Sequence, residues 1–148
     1  MANGELPKIG ILVGTHGRGS NMRALAQACA SGSVPANVGV VVSPSEAAPA
    51  WTVAKELGLP TAVVDVSGPD AGERLIEAFR QADCSLVCLA GYMRLLPAEV
   101  LRAFPNRVLN IHPALLPKFG GKGMYGMRVH EAVLAAGESE SGCTVHLV

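Results

Sequence analysis

The chain has 148 residues, of which 49% are apolar and 16% are charged, which excludes a disordered chain and suits a single domain with one hydrophobic core. Twelve basic residues balance twelve acidic ones, and this balance argues against nucleic acid as a partner. The polar start lacks the pattern of a secretory signal, and no apolar run reaches the roughly 20 residues that span a bilayer. We therefore expect a cytoplasmic protein without a membrane partner.

Apolar runs alternate with helical patterns along the whole chain. In order, the sequence predicts a strand at 8–13, a helix around 22–29, strand 38–42, helix 49–57, strand 61–66, helix 70–81, strand 86–90, a short helix opened by Pro97, strand 108–112, helix 129–136 and strand 143–148. The central strands are apolar without alternation, which is typical of a parallel sheet with helices on both faces. The pattern predicts a doubly wound α/β fold with a mainly parallel sheet, whose ligands bind beyond the carboxyl ends of the strands.

The cysteines predict no metal site. Cys29, Cys84, Cys88 and Cys143 show neither C-x-x-C spacing nor histidine partners at zinc-finger distances. Their neighbours are apolar, so we expect reduced thiols in the core. No cluster of metal-ligating residues stands out elsewhere, and no metal is expected.

The loop after the first predicted strand, which runs from Gly14 to Asn21, is rich in glycine and lies directly before a helix. Glycines allow a close backbone approach, and the N-terminus of a helix offers free N–H groups to a phosphate. The P-loop lysine is missing because Ser20 follows Gly19, and the three-glycine dinucleotide pattern fails as well. The loop therefore predicts a single phosphate held by Gly19, Ser20 and Asn21. The alternative is an ordinary turn in which Ser20 caps the helix.

Asn110 and His112 form a second candidate site. They lie two residues apart on a strand, so both side chains point to the same face, near the carboxyl end of that strand. An amide can hydrogen-bond a developing oxyanion, and an imidazole can move a proton, which fits acyl transfer. No serine or cysteine lies in a nucleophile elbow, so direct attack by a substrate amine is favoured. The alternative is that His112 is a hydrogen-bonded structural residue.

Four segments occur in the order typical of the folate-dependent formyltransferase family, and they span nearly the whole chain. They are Gly19-Ser-Asn21, Leu89-Ala-Gly-Tyr-Met-Arg94, Asn110-Ile-His-Pro-Ala-Leu-Leu-Pro117 and Gly142-Cys-Thr-Val-His146. Within that family the chain most resembles the glycinamide ribonucleotide transformylases. The resemblance implies a single formyltransferase domain over residues 1–148 with a Rossmann-like fold.

The resemblance also implies an activity and a set of site residues. The amine of glycinamide ribonucleotide would attack the formyl group of the co-substrate 10-formyltetrahydrofolate, a step of de novo purine biosynthesis. Asn110 would stabilise the tetrahedral intermediate, His112 would donate a proton, and His146 would support them. The substrate phosphate would contact Gly19, Ser20 and Asn21. The folate would contact Met93, Arg94, Leu95, Leu96 and Asn110, although residues 93–96 could instead form a turn in which Met93 and Leu96 belong to the core.

The sequence departs from the family pattern in two places. The family has a catalytic Asp a few residues after the Val-His-x-Val segment, and this sequence ends at Val148. We therefore expect a C-terminally incomplete domain that is inactive or nearly so as it stands. Family members can carry a folate-contacting Arg near the position of Gly68 to Gly72. This sequence has no Arg in that segment.

Three alternative functions compete with this interpretation, of which the hydrolase and the phosphate-binding fragment are kept as alternatives. A 10-formyltetrahydrofolate hydrolase shares the site but usually carries an additional N-terminal domain, for which residues 1–7 leave no room. A methionyl-tRNA formyltransferase lacks the Gly-Ser-Asn loop and needs a tRNA-binding domain. A non-catalytic phosphate-binding fragment would keep the loop without the full site. The sequence does not distinguish a monomer from a homodimer.

Overall fold

The computed structural model describes residues 4–148 and contains every predicted element. In chain order these are β1 (Lys8–Val13), α1 (Ser20–Ala30), β2 (Asn37–Ser43), α2 (Pro49–Glu56), β3 (Thr61–Val63), α3 (Ala71–Gln81), β4 (Cys84–Ala90), α4 (Ala98–Ala103), β5 (Val108–His112), α5 (Met127–Ala135) and β6 (Thr144–Leu147). Within residues 4–148, every helix is too short or too polar to cross a membrane.

The strands form one six-stranded sheet in the order β3-β2-β1-β4-β5-β6. All neighbours are parallel except β5 and β6, which run antiparallel. The predicted doubly wound, mainly parallel α/β fold is therefore confirmed. β3 is shorter than the predicted strand 61–66, because Asp65 accepts hydrogen bonds from the backbone N–H of Ser67 at 2.9 Å and from its hydroxyl at 2.6 Å. This local turn draws the chain away from the sheet.

Apolar side chains cover both faces of the sheet, as uninterrupted apolar strands require. One core packs α1 and α2 against the sheet and includes Ile11, Val13, Val41, Met22 and Ala54. The other packs α3 and α4 against the opposite face and includes Leu12, Val42, Leu75, Phe79 and Val100. Neighbouring residues of β1 thus belong to different cores, because successive side chains of a strand point to opposite faces.

The order in which the strands are added to the sheet reverses between β1 and β4. These strands are neighbours, but the chain leaves β1 towards α1 on one face and leaves β4 towards α4 on the other. Such a switch opens a crevice at the carboxyl edge of the sheet. The two backbones nearly touch there, since a Cβ atom on Gly14 would lie 2.1 Å from the carbonyl oxygen of Gly91. Only glycine therefore fits at position 14 without a steric clash.

We predict that Gly14→Ala destabilises the protein by about 1–3 kcal/mol, because the added methyl group forces the ends of β1 and β4 apart. Gly17→Ala is the matched control, since a Cβ atom there meets nothing within 4 Å. Chemical denaturation of both variants measures the difference. Equal stability of the two variants would contradict the close contact.

Candidate active site

A cavity of about 1030 Å³ opens at the carboxyl edge of the sheet, beyond β1, β4 and β5. Its lining comes from residues 91–95, 110–113 and 121–126, together with Asn21 and Cys143. The first two segments directly follow or end neighbouring parallel strands, so the sheet itself brings them together. The size of the cavity suits an organic ligand rather than a single ion.

Most of the residues predicted to contact substrates meet in this cavity. Gly19 and Ser20 precede Asn21 in the first loop but are not part of the lining. Leu96 is only 7% exposed, and its side chain packs in the core with α3 and α4, so only its backbone is free to face a ligand. Met93, by contrast, is 55% exposed and does not belong to the core. The predicted residues that line the cavity are Asn21, Met93, Arg94, Leu95, Asn110 and His112.

Gly19 is the last residue before α1, and glycine is favoured there for two physical reasons. Gly19 has a φ angle of 81°, in the left-handed region that other residues rarely adopt, and it forms the N-cap of α1. A Cβ atom there would also lie 3.1 Å from the Cβ of Ala50 on α2. Ser20 is the first helical residue, and α1 has no side-chain cap. The alternative in which Ser20 caps the helix is therefore wrong, and its exposed hydroxyl stays available to a ligand.

Asn110 is hydrogen-bonded to His146 on the neighbouring strand. The two residues are paired across β5 and β6, and Asn110 Nδ2 lies 3.2 Å from His146 Nε2. Because the amide can only donate from this nitrogen, His146 Nε2 accepts, and His146 Nδ1 donates to the carbonyl oxygen of Leu147 at 3.0 Å. The second N–H of the Asn110 amide and its oxygen remain available for a ligand.

His112 is held by a backbone group of the following loop. Its Nε2 donates to the carbonyl oxygen of Phe119 at 2.7 Å, which leaves Nδ1 as the other ring nitrogen. The loop is fastened to β6 by Thr144, whose hydroxyl donates to the Ala114 carbonyl at 2.7 Å and accepts from the Leu116 N–H at 3.1 Å. These bonds give His112 a defined ring orientation at the cavity wall.

Tyr92 adds a neutral polar group to the cavity. The residue is 8% exposed, and burial raises the pKa of its phenol, an effect that the nearby Arg94 partly offsets. The phenol therefore keeps its proton at neutral pH and can donate a hydrogen bond. Among residues 4–148, no group of three or more His, Cys, Asp or Glu side chains is placed to hold a metal ion.

Sequence reasoning missed the glycine-rich segment 120–126, although its composition was visible. Gly121, Gly123 and Gly126 all have positive φ angles, and this segment brings Lys122 and Tyr125 to the cavity wall. Four glycines within seven residues could have identified a backbone that approaches a ligand closely. The role of Phe119 could not have been found this way, because its contact is made by a backbone carbonyl.

The four cysteines are free thiols, but they do not all lie in the core. Cys84 is buried, Cys29 and Cys88 are half-buried, and Cys143 is exposed. The prediction of a core thiol is therefore wrong for Cys143, because β6 lies at the edge of the sheet and this residue precedes it. Burial raises the pKa of Cys84 to about 11, so its thiolate forms only as the pH rises towards that value.

We predict that iodoacetamide at pH 7 alkylates Cys143 more than about tenfold faster than Cys84, since an exposed thiol reacts and a buried protonated one does not. Peptide mass spectrometry measures the two rates, and Cys143→Ser is the control for assignment. The rate at Cys84 should rise as the pH approaches 11. Similar rates for the two thiols at pH 7 would contradict the positions described here.

Comparison with known proteins identifies the family to which the chain belongs. The formyl transferase family profile matches residues 9–148. The chain is 41% identical over 137 residues to the phosphoribosylglycinamide formyltransferase, chloroplastic, of Arabidopsis thaliana, covering 89% of this chain and 47% of that protein. The chain thus spans about half the length of this curated relative. The name of the relative places it in the chloroplast, so the cytoplasmic location of this chain stays a prediction.

Solved structures share the fold. The glycinamide ribonucleotide transformylase 1 of Symbiobacterium toebii superposes with a TM-score of 0.86 at 37% identity, covering 99% of this chain and 67% of that one. A formyltetrahydrofolate deformylase from Pseudomonas syringae has a TM-score of 0.82 at 20% identity, covering 97% of this chain and 46% of that one, which shows the fold alone. On the profile match and the likeness to the Arabidopsis and Symbiobacterium proteins, the chain belongs to the formyl transferase family.

Proposed function

We propose that the protein transfers a formyl group from 10-formyltetrahydrofolate to the amine of glycinamide ribonucleotide in purine biosynthesis. One observation supports this most directly: a single cavity joins the first loop, through Asn21, to the acyl-transfer pair Asn110 and His112. The names of the Arabidopsis and Symbiobacterium relatives agree with the proposal. Both substrates are small molecules, and the proposed reaction needs no metal.

The proposed chemistry begins with attack of the substrate amine on the formyl carbon. The new C–N bond turns the formyl oxygen into an oxyanion, which accepts a hydrogen bond from the free N–H of Asn110. His112 Nδ1 accepts the proton that the amine loses and gives a proton to the folate nitrogen as the bond between that nitrogen and the formyl carbon breaks. The products are the formylated ribonucleotide and tetrahydrofolate.

The two substrates are proposed to enter from opposite ends of the cavity. The backbone of Gly19 and the side chains of Ser20 and Asn21 hold the phosphate at the N-terminus of α1. The folate lies along the segment after β4, against the side chains of Met93, Arg94 and Leu95 and the backbone of Leu96, with Asn110 at its formyl end. Met93 and Leu95 expose apolar surface there, 55% and 97% respectively, which suits the flat ring of a pterin.

The fate of the formyl group tests the proposed reaction. The full-length protein is incubated with 10-formyltetrahydrofolate, with and without glycinamide ribonucleotide, and the products are identified by mass spectrometry. We expect formylated ribonucleotide and tetrahydrofolate only when the acceptor is present, because the bound amine is the nucleophile. Release of formate regardless of acceptor would identify a hydrolase, and binding of the ribonucleotide without turnover would identify a binding protein.

Substitutions separate catalysis from binding. Asn110→Ala should lower kcat by roughly 100- to 1000-fold, because the oxyanion loses its donor. His112→Asn should lower kcat by roughly 100-fold, because proton transfer is lost. The dissociation constant for the ribonucleotide, measured by calorimetry, should change only a few-fold in both variants, since its phosphate binds elsewhere.

His130→Asn is the matched control for His112→Asn. His130 is exposed on α5 and is not part of the cavity lining, so its replacement should leave kcat unchanged. Equal losses at positions 112 and 130, or a His112→Asn variant with full activity, would remove His112 from the mechanism.

A further inference from the structure

The carbonyl oxygen that holds His112 belongs to a residue in an unusual backbone conformation. Phe119 has a φ angle of 58°, in the left-handed region that bulky residues rarely adopt. Its carbonyl accepts a hydrogen bond from His112 Nε2 at 2.7 Å, at the short end of the range for N–H···O hydrogen bonds. A more common φ angle at this residue would turn the carbonyl away from the ring.

The side chain of Phe119 explains why this conformation persists. It packs against a small apolar core formed by Ala114, Val129 and Val133, all of which are buried. Val129 and Val133 lie one turn apart on α5, so the ring is anchored to a helix on one side of the loop. On its other side, Gly120 packs closely on Leu116, since an added Cβ atom would lie 2.7 Å from Leu116 Cδ2, whereas added Cβ atoms on Gly121 and Gly123 would meet nothing within 4 Å. The aromatic anchor therefore restrains the carbonyl at position 119, while Thr144 fastens the earlier part of the loop at Ala114 and Leu116.

We infer that Phe119 is a positioning residue for His112. The half-buried ring helps to fix a left-handed backbone, and the carbonyl of that backbone holds the Nε2–H of His112, so that Nδ1 is directed to the substrates. This role rests on the proposed formyl transfer, in which His112 supplies a proton. Small errors in the placement of a catalytic group are costly, since a displacement of about 1 Å can lower the rate roughly 100-fold.

Substitutions at position 119 distinguish positioning from packing. Phe119→Ala removes the anchor that stabilises the left-handed conformation, so kcat should fall roughly 10- to 100-fold with little change in either KM. Phe119→Gly removes even more of the side chain, but glycine adopts the left-handed conformation freely. We expect Phe119→Gly to be several-fold more active than Phe119→Ala, and Phe119→Leu to stay within about threefold of the parent protein because it keeps an apolar anchor.

Chemical denaturation shows which variants are fully folded in the assay, because strain at this φ angle also destabilises alanine relative to glycine. In fully folded variants, a residue that only packs leaves kcat unchanged, whereas a positioning residue gives a higher kcat for Phe119→Gly than for Phe119→Ala. Activity of Phe119→Gly at or below that of Phe119→Ala would therefore overturn the inference. If Phe119→Ala does not fold, Phe119→Val replaces it, since a β-branched residue keeps apolar volume and strongly disfavours this φ angle.

A second readout does not depend on turnover. In ¹⁵N-labelled protein, the Nε2–H proton of His112, assigned with His112→Asn, should be observable and slow to exchange in the parent protein. It should be lost in Phe119→Ala and partly restored in Phe119→Gly. The positioning role would be refuted if the exchange of this ring proton were the same in the parent protein, in Phe119→Ala and in Phe119→Gly. If the formyl-transfer test described above gives no formylated ribonucleotide, the proposed reaction fails by itself, and the ring proton of His112 alone decides whether Phe119 orients His112.

Discussion

β1 and β4 lie side by side in the sheet, and the chain leaves them towards opposite faces just beyond Gly14 and Gly91. The contact between these two glycines leaves no room for a Cβ atom on Gly14, which would lie 2.1 Å from the Gly91 carbonyl oxygen. Close approach of the two strand ends brings the loop that carries Asn21 and the segment that carries Met93 to the same cavity. The candidate site therefore depends first on a backbone contact and only then on its polar side chains.

The register between β5 and β6 provides the polar half of the site. Because these strands are antiparallel, Asn110 lies opposite His146, and His112 lies opposite Thr144. The two pairs are separated by one position, so all four side chains lie on the same face of the sheet. The first pair is joined by a direct hydrogen bond, whereas Thr144 fastens the loop that follows His112. A shift of β6 by one residue would send His146 and Thr144 to the other face of the sheet, away from Asn110 and His112, which stay in place through the pairing of β5 with β4. Edge strand β6 thus contributes to the site although it lies outside the parallel part of the sheet.

The fold could be predicted from the sequence because uninterrupted apolar strands are stable only between two layers of helices. Asn110 and His112 could be predicted to share a face because the period of a strand is two residues, and both do line the cavity. Three features could not be predicted. The antiparallel direction of β6 depends on tertiary pairing, the exposure of Cys143 depends on its place at the sheet edge, and the contact of Phe119 is made by a backbone atom. Side-chain patterns carry no information about which carbonyl faces a histidine.

Within the proposed reaction, the first loop distinguishes transfer to an amine from transfer to water. Water needs no anchor, because it reaches any open cavity at high concentration. An amine on a phosphorylated substrate gains from being held, since fixing both reactants in one geometry can supply about 7–11 kcal/mol towards the barrier. A phosphate on Gly19, Ser20 and Asn21 would provide that anchor at one end of the cavity, while Asn110 and His112 act at the other. The same acyl-transfer pair without such a loop would favour hydrolysis, so selectivity between the two reactions depends on the loop after β1 rather than on the catalytic pair.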